Sequence, residues 1–267
     1  TLTATYWGNG AWANGADWLG AGSVISQLNY YAGDPAFVAP QEQDYHITAA
    51  SALINQGVLT EILDDLEGFP RDRWPDLGAD EYRMCWVRLN DDPTDYTGVQ
   101  EAVDAAQSGD VVKIAGRCGG VSARPRNDLV TTGLVTQVVY LTKTLTLQGG
   151  YTATNFTQAY PVTQPTVLDA LGLGRVVYVA AGAQPTLSGL QLIGGDATGQ
   201  GGHPTADAGG GLYAAHATVT VDACQFYDNV ADVGGGIHVA LGQAELRNVI
   251  IADNQALTGG ALHMWES

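Results

Sequence analysis

Basic residues are scarce in this chain: 11 Lys and Arg stand against 28 Asp and Glu in 267 residues, a formal charge of −17. Nucleic-acid binding is disfavoured, because neutralising a phosphate backbone needs clustered Lys and Arg, and no basic stripe exists. Long apolar runs are missing as well. None approaches the roughly 20 residues that would span a bilayer as a helix, and nothing has the pattern of a signal peptide, so no membrane insertion is expected within this stretch. Charged residues make up only 15 %, yet an apolar fraction of 45 % with β-branched runs excludes a disordered glycine-rich chain. An acidic, lysine-poor surface suits a soluble extracellular protein, one that could live with divalent cations.

Glycine, by contrast, is abundant, and much of it is periodic. Gly209-Gly210-Gly211-Leu212-Tyr213, Gly234-Gly235-Gly236-Ile237-His238 and Gly259-Gly260-Ala261-Leu262-His263 align when slid by 25 residues (238 − 213 = 263 − 238 = 25). Behind the first two blocks the same apolar spacing follows: Val221, Cys224 and Phe226 then Asn229, and Leu246, Val249 and Ile251 then Asn254. A unit this short cannot bury its own apolar face, whereas stacking one coil on the next builds a continuous core. The spacing predicts an all-β chain, a parallel β-helix. Leu212, Ile237 and Leu262 should stack inward, with Tyr213, His238 and His263 pointing out.

Two segments are expected. Residues 1–84 read as the closing coil and irregular cap of one unit: Thr1 to Asn9 is a strand, and Asp, Gly and Pro punctuate the sequence through Tyr82. Residues 85–267 read as the capping helix and opening coils of the next. There a strand (Cys85 to Asn90) precedes a helix with Val99, Ala102, Val103 and Ala106 on one face and Thr97 as N-cap. Further strands are predicted at Val111 to Ala115, Val138 to Leu141, Thr144 to Gln148, Val176 to Ala180 and Thr186 to Ile193. The insertion Gly194 to Ala208 reads as a polar surface loop.

Four blocks in order, Asp44-Tyr45-His46-Ile47, Ser51 to Gly57, Asp65 to Arg71 and Asp76 to Tyr82, resemble the closing segment of bacterial surface β-helix proteins of the choice-of-anchor Q type. The Cys85 to Ser267 part looks like the opening of a right-handed β-helix of the pectin-lyase-like superfamily. Together the two resemblances span nearly the whole chain. They imply a right-handed solenoid, and the helix that follows the closing segment implies units strung in tandem. The half-coils at the two ends, Thr1 to Asn9 and Gly259 to Ser267, are expected to be completed by an adjacent repeat unit or by a neighbouring copy docked end to end.

Catalytic chemistry is weakly signalled. Polysaccharide lysis or hydrolysis needs a strong base with cations, or converging carboxylates. Arg124, Arg126 and Asp128 form the densest polar group, while Lys113, Lys143 and Arg175 lie on separate strands. No catalytic residue is assigned. His238 and His263 on adjacent coils could ligate Zn²⁺ or Cu²⁺, but no third ligand is evident, and neither a metal nor another cofactor is expected there. Asp228 and Asp253 recur at one turn, where Ca²⁺ could bridge them, as it could the oxygen-rich Asp64, Asp65, Glu67, Asp72 and Asp76. Asx turns are the favoured reading of the recurring pair. Trp7, Trp12 and Trp18 could form a sugar-stacking platform or plug the solenoid end, and the plug is favoured. Cys85 and Cys118 close predicted strands and should form a disulfide stapling the helical cap to the first coil; Cys224 replaces Val249 one coil earlier and should be a reduced core residue.

These features point to a non-enzymatic structural protein of the bacterial surface or the extracellular space, a rigid spacer or filament building block. An adhesin contacting surface glycans through the Trp cluster and the 194–208 loop is the alternative, with a lyase or hydrolase third.

Overall fold

The computed structural model describes residues 34–48, 50–57, 65, 76–79, 82, 84–127 and 132–266, with the backbone alone at 3–6 and 23–26. The chain divides into two compact units, Thr1–Arg83 and Met84–Ser267. Met84 belongs with the second, because its carbonyl accepts the Arg117 N–H at 2.7 Å.

In the first unit the strand Thr3–Tyr6 pairs in parallel with Ser23–Ser26. Phe37–Ala39 and Asp44–Ile47 form an antiparallel pair around a 3₁₀ turn, Pro40–Glu42. Ile47, Leu53 and Leu77 make a small core. Asp76, counted above among possible calcium ligands, is buried and structural: its two carboxylate oxygens accept the backbone N–H of Asn55 at 2.7 Å and of Tyr82 at 2.6 Å. Asp64, Glu67, Asp72, Trp7, Trp12 and Trp18 lie outside the described residues.

The second unit is mostly β, a large parallel sheet system that curls around one apolar core. Its strands fall into three columns. The first holds Leu134–Leu141, Arg175–Val179, Leu212–Ala215, Ile237–Ala240 and Leu262–Trp265. The second holds Val111–Cys118, Thr146–Tyr151, Thr186–Ser188, Thr218–Asp222 and Gln243–Arg247. The third holds Thr166–Asp169, Leu190–Ile193, Gln225–Tyr227 and Ile250–Ile251, and starts on the far end of Val111–Cys118. From Leu134 onward the chain visits first, second and third columns in that order, repeatedly.

Each step between columns needs a corner. The expected single strand Thr186 to Ile193 is broken by one at Gly189, whose φ of +65° ends the second-column strand. One coil later Ala223 takes φ 52° there, and Asn248 repeats it another 25 residues on. The corner conformation is thus set by the pairing on either side, against the steric preference of Ala and Asn.

The glycine triplets carry two constraints. Gly209, Gly234 and Gly259 sit at φ +67°, +62° and +63°, the left-handed region. Behind them the coils nearly touch: a Cβ on Gly211 would lie 2.5 Å from the Gly236 oxygen, and one on Gly210 2.5 Å from the Val230 oxygen. Successive blocks are joined there, Gly211 N–H to Gly235 O at 3.0 Å and Leu212 N–H to Gly236 O at 2.9 Å.

The register places Leu212 beside Ile237 and Ile237 beside Leu262, Val221 beside Leu246, and Phe226 beside Ile251, all in the central core with Cys224 and Val249. Cys224 is buried and free, and burial pushes its thiol up to about 11. The buried amide of Asn229 accepts the Gly195 N–H at 2.8 Å and donates to Leu192 O at 3.0 Å and to Asn254 Oδ1 at 2.8 Å, so each coil is stitched to the next.

At the other end of the core, Cys85–Leu89 runs antiparallel along Val111–Cys118, and Cys85 and Cys118 are joined in a disulfide with Cα atoms 4.8 Å apart. The helix Val99–Ala105 turns Val99, Ala102 and Val103 onto the core, with Ala106 following at its C-cap. Its N-cap is Gly98, not Thr97. Thr97 stands one residue earlier because Glu101 reaches back to accept both its N–H and its hydroxyl, at 2.8 and 2.7 Å. Lys143 closes the helix, its ammonium donating to the carbonyls of Val103, Asp104 and Ala106 at 3.0, 2.8 and 2.6 Å. Among the described residues no helix is long and apolar enough to cross a membrane.

Replacing Ile237 by Asp places an unpaired carboxylate at a fully buried position between two coils. A loss of more than about 4 kcal/mol is expected, read as collapse of the urea midpoint; an unchanged midpoint would mean that this row is not the core.

Candidate functional site: an aromatic and imidazole ladder beneath a hairpin

On the opposite face of the first column, Tyr140, Tyr178, Tyr213, His238 and His263 occupy one register position on five successive strands. Parallel strands bring equivalent side chains one strand spacing apart, so flat rings at this position stack. Successive centroids are 5.0, 5.2, 5.6 and 5.0 Å apart, with planes inclined by 4°, 24°, 4° and 8°.

These side chains do leave the central core, as the alternation requires. They do not reach solvent: Tyr178, Tyr213 and His238 are 0 % exposed, a correction to the expected exterior row. The cover is the insertion itself. Between Leu187 and Val221 the register step is 34 residues (221 − 187), nine more than the regular repeat, and the surplus folds back over the ladder. Gly202–His203 and Ala206–Asp207 form a short antiparallel hairpin. Asp207 holds its base, one carboxylate oxygen accepting the Gly201 N–H at 2.5 Å and the other the Gly199 N–H at 2.7 Å.

Arg175, expected as an isolated cation on a strand, joins ladder and cover. Fully buried, it donates from Nε to Ala208 O at 2.9 Å and from Nη2 to Gly201 O at 2.6 Å, with its guanidinium 4.8 Å above the Tyr213 ring. The Tyr213 hydroxyl donates to Gly202 O at 2.9 Å. Arg126 donates to the Gln200 carbonyl, and the Gln200 side chain accepts the Thr136 N–H at 2.9 Å.

The cover also delivers His203, absent from the candidates read in the sequence. Its ring lies edge-on to His238 at 6.2 Å, to His263 at 6.0 Å and to Trp265 at 5.2 Å. The Nδ1 atoms of His238 and His263 are 3.1 Å apart, and His238 Nε2 is buried with no hydrogen-bond partner among the described residues. Burial, then the neighbouring His263, His203 and Arg175, push the His238 imidazole from 6.5 down to about 3. His263 is lowered too, by burial and by His203. The ladder therefore holds neutral imidazoles.

The remaining candidates are dispersed. Arg124 pairs with Asp104 at 2.5 Å, Asp128 lies outside the described residues, and Lys113 bonds Asp91 at 2.7 Å and Phe156 O at 3.0 Å. Asp228 and Asp253 are exposed at left-handed turns, φ 54° and 57°. The left-handed residue is thus the Asp, while the Asn beside it provides the buried bonds. As the side chains stand, no group of three or more His, Cys, Asp or Glu among the described residues is arranged around a metal position. No protein-family model, curated protein or solved structure matches the chain.

Since His238 titrates lower in the folded chain, the unfolded chain takes up a proton between pH 6.5 and about 3 that the folded chain refuses. Stability should be complete above 6.5 and fall on acidification through that window, by up to about 1.4 kcal/mol per pH unit. Urea midpoints from pH 7 to about 4 in chelator should show this slope in the native chain and a shallower one in His238→Phe. Equal slopes would remove His238 as the cause.

Proposed function

We propose that the chain is a right-handed parallel β-helix of the bacterial surface or extracellular space, non-enzymatic, serving as a rigid spacer or filament building block. The observation that carries this reading is the three-column order with its constant 25-residue step, a geometry that extends by adding coils. The described cations suggested for lyase or hydrolase chemistry support it by their bonding. Lys143 closes the helix, Arg175 joins ladder to cover, and Lys113, Arg124 and Arg126 are paired on separate strands. The resemblance of residues 44–82 to a choice-of-anchor Q closing segment supports the surface assignment.

The last described coil supports end-to-end stacking. Leu212, Val221, Phe226 and Ile237 are 0 % exposed, whereas their successors Leu246, Ile251 and Leu262 are only partly covered. A further coil, from an adjacent unit or a second copy, would complete their burial. Sedimentation velocity across a concentration series should show association that Ile251→Lys weakens. A monomer at every concentration would rule out stacking between copies.

A second reading, binding of surface glycans, is favoured by one feature. A cleft of about 750 Å³ is lined by Arg88, Asn90, Asp91, Lys113, Asn155 and Phe156, an aromatic ring among polar groups. The insertion, earlier offered as a contact loop, is committed to covering the ladder. Binding on a glycan array that Asn155→Ala reduces would support this reading, and an empty array would remove it.

A further inference from the structure

We infer that His203, His238 and His263 form a binding site for a borderline divalent transition ion such as Zn²⁺, closed by movement of the 202–207 hairpin. The three rings stand at the corners of a triangle with sides of 5.0, 6.0 and 6.2 Å. Three imidazoles bound to one tetrahedral ion at the usual Zn–N distance have centroids about 5 Å apart. Two sides therefore need to shorten by about 1 Å, and the rings need to turn until one nitrogen of each faces the centre. The ladder supplies two of the three residues on adjacent strands, and their Nδ1 atoms, 3.1 Å apart, are already at the separation of two ligands of one ion.

The third residue sits on the element best able to adjust. His203 and His263 are partly exposed, and His203 is carried by a hairpin of two-residue strands. His238 is the fixed corner, held between Tyr213 and His263, and its Nε2 is a buried polar atom lacking any hydrogen bond among the described residues. Such an atom is normally satisfied, and its isolation beside two further imidazoles points to a ligand. Neutral imidazole is the form that binds metal, and burial together with the surrounding His and Arg cations keeps these rings unprotonated. Arg175, also packed in this layer, disfavours additional positive charge; its guanidinium is directed to Ala208 O, Gly201 O and the Tyr213 face. The ligand set is all nitrogen with a position left for water, which selects Zn²⁺, Ni²⁺ or Cu²⁺ over Ca²⁺ or Mg²⁺.

The test is calorimetric titration of the EDTA-stripped, dialysed chain with ZnCl₂ and, separately, CaCl₂ at neutral pH. One Zn²⁺ per chain with micromolar or tighter affinity is expected, and no uptake of Ca²⁺. His203→Ala, in the partly exposed hairpin, and His263→Ala should each weaken zinc binding by roughly tenfold or more. Far-ultraviolet circular dichroism checks that each variant is folded. Co²⁺ added to the native chain reads the ligand set without mutation, since tetrahedral nitrogen ligation gives strong visible absorption. Absence of zinc uptake, uptake unchanged in both folded variants, or a Co²⁺ spectrum of the hydrated octahedral ion would each overturn the site.

Discussion

Close approach of one backbone coil to the next is the constraint on which the second unit depends. Hydrogen bonds such as Gly211 to Gly235 and Leu212 to Gly236 bring successive turns to strand spacing, and at that distance a Cβ at Gly210 or Gly211 would collide with a carbonyl. The same spacing drives the remaining features. It aligns Leu212, Ile237 and Leu262 into a core row, lets the Asn229 amide reach Asn254, and forces rings at the alternate position to stack.

A solenoid of identical coils presents a repetitive surface without a concave site. Here one coil is longer by nine residues, and the excess converts an outward row into a second buried layer. That layer mixes Tyr rings, imidazoles and a guanidinium with small residues such as Ala180, Ala208 and Ala215. Burying such groups carries a desolvation penalty, offset where hydrogen bonds are made: Arg175 to two carbonyls, Tyr213 to Gly202 and Tyr140 to Pro125. His238 Nε2 is the departure from that rule among the described residues of the ladder. A spacer needs no such group, which is why the ladder is the part of the fold that suggests chemistry.

The two ends of the core are handled differently. The disulfide, the antiparallel strand Cys85–Leu89 and the helix capped by Lys143 cover one end. At the other, Leu246, Ile251 and Leu262 remain partly exposed, with Leu257 and Met264 more so. A polar, stapled end and an apolar, extendable end give the unit a direction, the property that a stackable element requires.

The sequence by itself determined the coil. Period 25, the glycine blocks, the inward rows Leu212–Ile237–Leu262 and Val221–Leu246, and the helix face of Val99, Ala102 and Val103 were all readable, because they follow from local spacing repeated in register. The cap residue was misread by one position, since Thr97 and Gly98 differ only in how Glu101 folds back. Tertiary structure alone decided the fate of the outward row. Alternation says that Tyr213 and His238 leave the core, but whether they meet water depends on a non-periodic insertion whose course is set by Asp207, Arg175 and Gln200. His203 escaped notice for the same reason: it carries no register with His238 or His263, and only the folding back of a polar segment brings the three rings together.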